Sequence, residues 1–125
     1  MPSDTQDIHG HVLRVNHFLR FGLVRQVQAG AVDANQWVEV RDAWAWADEW
    51  AQRGDVVADG LRDLLLSLQQ ALNGFLDLLR QLVASGQHTS PDALASVNDA
   101  LREMQVLWRV GSEQVFSLST GAAEA

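Results

Sequence analysis

No cysteine occurs among the 125 residues, so disulfides, thiolate metal ligands and cysteine nucleophiles are excluded by inventory. Lysine is absent as well. All nine basic residues are arginine, a bias that suggests a high-GC, bacterial genome rather than a mechanism. Only two prolines interrupt the chain, which leaves long stretches free to be helical. No apolar run approaches the roughly 20 residues of a membrane span. Met1 to His11 holds two aspartates and no arginine, whereas a secretory signal starts basic and continues apolar. The sequence is therefore expected to be soluble and cytoplasmic, with no membrane partner.

Positive charge is scarce and unevenly placed. The chain carries −7 overall, yet Met1 to Gln28 is +1, with Arg14, Arg20 and Arg25 against Asp4 and Asp7, and the remainder is −8. A nonspecific nucleic-acid binder needs a cationic stripe to release counterions, so no nucleic acid is expected as partner.

What is present is hydrophobic side chain, 47% of the residues, in a length that suits one domain. Stop signals divide it into four helices. The first runs from about Asp4 or Asp7 to Gln28, capped by Ser3 or Thr5 and ended by Ala29-Gly30. The second opens at Asp33, with Gln36 completing a capping-box pattern, and stops near Arg53-Gly54. Asp55 caps the third, which reaches about Ser85. Ser90-Pro91 opens the fourth, which ends near Leu118 and leaves 119–125 as a disordered tail. Short connections favour an all-α, four-helix, up-down-up-down bundle, a single domain over 1–125. A long hairpin of the last two helices crossed by the first two is the alternative.

The third helix carries Leu61, Leu65, Leu68, Leu72, Phe75, Leu79 and Leu82 in alternating steps of four and three, the heptad spacing of a coiled-coil seam. Leu64, Leu76, Leu78 and Val83 widen it, whereas Leu66 projects away. The fourth repeats the spacing with Leu94, Val97, Leu101, Met104, Trp108, Gly111, Val115 and Leu118, and Gly111 reads as a notch for a neighbour. In the second, Val40, Ala43, Trp44, Ala47 and Ala51 share an arc with Trp37 and Trp44 on one shoulder and Trp46 and Trp50 on the other. One tryptophan pair is surplus to a single neighbouring helix. The first helix projects apolar residues nearly all the way round, among them Val12, Leu13, Val15, Phe18 and Phe21, as a helix covered by a partner does.

No chemical constellation accompanies these helices. His9, His11, His17 and His88 form no His-x-x-x-His pair and no Glu-x-x-His motif of di-iron bundles occurs. Asp7 and His11, one turn apart, are the nearest approach to a metal pair, and a solvated ion pair is the plainer account. The serines lie on no strand-to-helix elbow, the glycines make no phosphate loop, and the acidic residues read as solvated helix faces. No catalytic, cofactor or metal site is therefore expected, and no enzyme activity. The function expected is that of an interaction protein, an assembly factor, chaperone, adaptor or inhibitor, which self-associates, most simply as a dimer, and binds a protein partner. Its interface candidates are Trp46, Trp50, Trp37, Phe18 and Phe21. A bundle binding a small hydrophobic ligand among Trp37, Trp44, Trp108 and Phe75 is the alternative, and an acidic nucleic-acid mimic a weaker one.

Overall fold

The fold is that of a computed structural model, which describes the backbone of residues 2–124 and the side chains of residues 8–117. Four helices make an all-α bundle, without strands among the described residues. Helix α1 consists of Pro2–His17, a π-helical turn Phe18–Gly22, and Leu23–Ala29. Helix α2 is Val38–Gln52, α3 is Val56–Ala84 and α4 is Pro91–Glu124. Helix α1 starts at Pro2, ahead of the caps expected of Ser3 or Thr5, and α4 continues to Glu124, past the expected end near Leu118 and into the expected disordered tail at 119–125; the side chains there, and the Asp7 partner of His11, lie outside the described residues.

Local chemistry sets most boundaries. Asp55 accepts from the amides of Val57 and Ala58, both at 3.0 Å, and Ser90 Oγ accepts from Ala93 N at 3.1 Å ahead of Pro91. Gly30, Gly54 and Gly86 follow helix ends with φ of +67°, +86° and +73°, a left-handed conformation that a residue without Cβ adopts at no steric cost. The second helix departs from expectation. Asp33 accepts from Asn35 N at 3.0 Å, but it caps only the 3₁₀ turn Ala34–Gln36, and α2 begins at Val38. The reason lies in Trp37, whose non-helical backbone turns its ring inward, where Nε1 donates to Gln26 Oε1 at 3.1 Å.

Each helix packs on two others, α1 and α3 both lying between α2 and α4. On α1, His11 meets Trp46 and Phe18 meets Trp37, so α1 and α2 run in opposite directions. Across the other side, Trp108 Nε1 donates to Val12 O at 3.2 Å and Gln105 Nε2 to Leu19 O at 3.2 Å, which sets α4 antiparallel to α1. The single core runs through all four helices. From α3 it takes Leu61, Leu65, Leu68, Leu72 and Phe75, the expected seam, while Leu66 points to solvent. Leu79 and Leu82 are only half-buried, and Val83 is exposed. From α4 it takes Val97, Leu101, Met104, Trp108 and Val115. Leu94 does not join them; Ala93 occupies the inward position at that end.

Gly111 is the notch expected of it, because a methyl group there would overlap the side chain of Leu64 on α3. Alanine is better than glycine in a helix by about 1 kcal/mol, and overpacking costs about 1–3 kcal/mol. Gly111→Ala is therefore expected to lower stability by about 1 kcal/mol in the wild type and to raise it by about 1 kcal/mol in a Leu64→Ala background. Urea unfolding of the four proteins of this cycle measures that change of sign.

Candidate functional site

Helix α1 owes the placement of its apolar side chains to a change of helical phase. A π-helical turn holds about one residue more than an α-helical turn, so it rotates everything after it by about 100°. With the turn at Phe18–Gly22, Val24 and Val27 swing toward the core beside Leu23, and Ile8, Val12, Val15 and Leu19 face it from before. Two features hold the wide turn. Gln105 of α4 donates to Leu19 O within it, and Gly22 leaves room for the Phe18 ring, whose Cδ1 would stand 3.2 Å from a methyl at position 22.

The all-round apolar character of α1 is thus largely an effect of projecting it as one regular helix. Most of those residues are enclosed by the subunit itself. Leu13 and Phe21 are left outside, 62% and 50% exposed. They stand eight residues apart, with His17 midway, so the three form one row along the helix. The His17 ring lies 4.8 Å from that of Phe21. Arg14, Asn16 and Arg20 of α1 and Glu39 of α2 complete a shallow concavity around the row. Its border carries both signs of charge: Arg14 pairs with Asp42 at 3.2 Å, and Arg20 has no ion pair among the described residues.

The five interface candidates separate into three places. Phe21 belongs to the outer row. Phe18 and Trp37 do not lie on a surface: both are buried, with ring centroids 5.8 Å apart, closing the core between α1 and α2. Trp46 and Trp50 are half-buried, 6.2 Å apart, at the opposite end of α2. Trp46 is covered by His11 of α1 at 5.5 Å, and the Arg53 guanidinium sits 4.9 Å over the Trp50 ring, a cation–π contact. The second indole pair, surplus to one neighbouring helix, is sheltered by an imidazole and an arginine. Leu13 and His17 are not among those five candidates, although their four-residue spacing with Phe21 is visible in the sequence; the other apolar residues of α1 obscure it there.

Of the rings expected to line an aromatic pocket, Trp37, Trp44, Trp108 and Phe75, three turn to different places. Trp108 is enclosed with its N–H on Val12 O, Trp37 turns to Gln26, and Phe75 borders a separate recess between α3 and α4. Three of the four imidazoles lie against aromatic neighbours in different places, His9 on Phe116 at 4.3 Å, His11 on Trp46 and His17 on Phe21. Among the described residues no three of His, Asp and Glu come together as a metal site, and no helix is long and apolar enough to cross a membrane. Acidic side chains on the outer faces meet arginines: Asp59 and Asp48 on Arg62, Glu49 on Arg53, Asp77 on Arg80.

No family model, curated protein or solved structure matches the chain. Function therefore has to be argued from the surface itself.

Trp37 and Trp46, one before α2 and one within it, differ in how their indole N–H groups are met. The Trp37 N–H is hydrogen-bonded, whereas that of Trp46 is buried without a hydrogen-bond partner among the described residues. Trp37→Phe is expected to cost about 1 kcal/mol beyond its packing loss, and Trp46→Phe to lose nothing in hydrogen bonding. Chemical denaturation of the two variants side by side should place Trp37→Phe as the less stable.

Proposed function

We propose that the chain is a soluble, cytoplasmic, non-catalytic bundle whose work is association, and that its first partner is a second copy of itself, docked through the outer row of α1. The observation that carries this is the exposure of Leu13 and Phe21 on one face of a helix whose remaining large apolar side chains are mostly enclosed. Large apolar groups aligned two turns apart favour burial, at roughly 1.5–3 kcal/mol for each side chain removed from water. The row is also symmetric about His17. An antiparallel two-fold pairing of α1 sets Leu13 against the partner subunit's Phe21, and the reverse, which is the self-complementarity a two-fold dimer requires.

Charge supports the same occupant. Arg14 and Arg20 lie beside Glu39 and Asp42, so the face offers both signs and a copy of it meets each with its opposite. A strongly basic or acidic partner would find only half its complement there. The assembly that results presents the acidic outer faces of α2 and α3 to further protein partners, as an assembly factor, chaperone, adaptor or inhibitor would.

The test is sedimentation velocity from low to tens of micromolar. A dimer is expected, and Phe21→Asp or Leu13→Asp should raise its Kd by about tenfold or more with the helical circular dichroism unchanged, the scale set by one buried apolar side chain. Both positions are exposed in the subunit, so neither change should disturb folding. A wild-type protein that sediments as a monomer throughout overturns the proposal.

A further inference from the structure

At the end of the bundle away from Trp46 and Trp50, the helices do not finish together. Helix α1 stops at Ala29 and α2 starts only at Val38, while α3 continues to Ala84 and the α3–α4 connection lies further on. The segment between α1 and α2 is held by the Trp37–Gln26 hydrogen bond, so it crosses without building a helix on the fourth corner. Three helices remain there, and the missing rod leaves a cavity of about 500 Å³, inside the range of roughly 300–1,000 Å³ common to small-molecule sites.

The cavity wall is apolar, with Val27 and Val32 from the α1 side, Leu79 and Leu82 from α3, and Val97 from α4. Val83 and Leu94, 62% and 51% exposed, stand at its mouth. The ionisable residues that line it are Arg80 and His88, and no carboxylate lines it, although the chain as a whole is −7. Arg80 touches Asp77 through one long contact of 3.6 Å, which leaves most of its five donors open.

We propose that this cavity binds a free medium-chain fatty carboxylate, the acyl tail lying among Val27, Leu79, Leu82 and Val97 and the carboxylate at the mouth on Arg80, with His88 beside it. Each half of the ligand has its match. The tail covers aliphatic side chains that the missing corner leaves wet, and the head meets a guanidinium able to donate two parallel hydrogen bonds to one carboxylate. The site shares no lining residue with the outer row at Leu13–Phe21 and does not depend on association there.

Isothermal titration with decanoate, held below its micelle concentration, tests this, with decanol and acetate as probes of tail alone and charge alone. One decanoate per chain is expected, with decanol at least about tenfold weaker, the effect of losing a charge-assisted hydrogen bond, and acetate silent. Arg80→Gln should bring decanoate down to the decanol level. Leu94→Trp, a larger ring at an exposed mouth position, should block both ligands. Phe21→Asp should bind decanoate as the wild type does, which separates this site from the outer row. Absence of saturable decanoate binding, or binding indifferent to both Arg80→Gln and Leu94→Trp, overturns the proposal.

Discussion

A 29-residue helix cannot be covered along its length by one of 15. At about 1.5 Å per residue, α3 spans about 44 Å and α2 about 22 Å, so the leucine row of α3 has a partner on that side for only half its course. Where α2 faces it, Leu61, Leu65, Leu68 and Leu72 are enclosed. Past Phe75 the cover thins, through half-buried Leu79 and Leu82 to exposed Val83. The end cavity and its wet rim follow from that mismatch, which the late start of α2 at Val38, behind the inward-turned Trp37, widens.

The second accommodation is in α1. A regular helix of that sequence spreads its apolar residues over too wide an arc to face one core. One wide turn, steadied by Gln105 and permitted by Gly22, rephases the second half so that both halves face α2, α3 and α4. What the rephasing cannot turn inward is the row at Leu13, His17 and Phe21. The two surfaces of interest thus have separate origins, one in a change of helical phase and one in a missing length of helix.

Charge follows the same division. Among the described residues, Asp42, Asp48, Glu49, Asp59 and Asp77 lie on outer faces within reach of an arginine on the same or a neighbouring helix, and such exposed pairs contribute little to stability. Their effect is on the character of the surface, acidic over most of it. Arg20, like Arg25, Arg41, Arg102 and Arg109, has no ion pair among the described residues, and Arg80 is held by a single long contact; Arg20 and Arg80 each border a concavity that includes exposed apolar side chains.

Much of this was legible in the residues in order. Heptad spacing named the α3 seam and most of the α4 one, the Asp55 and Ser90-Pro91 caps fell where expected, and Gly111 was read as a notch, because each of these depends on neighbours within a turn or two. Trp37 and Phe18 lie in the core for the opposite reason. Whether a ring is surface or core is settled by the helix across from it, and here Phe18 and Trp37 cover one another. The π-turn, the late start of α2 and the cavity they lead to depend on Gln105, Gly22 and Gln26 meeting groups far along the chain or across a loop, and no local period records such meetings. The sequence by itself determined four helices and their greasy faces, since helical phase and capping are local; only the tertiary structure decided which apolar residues were left in water, since that depends on how rods of unequal length and altered phase fit against each other.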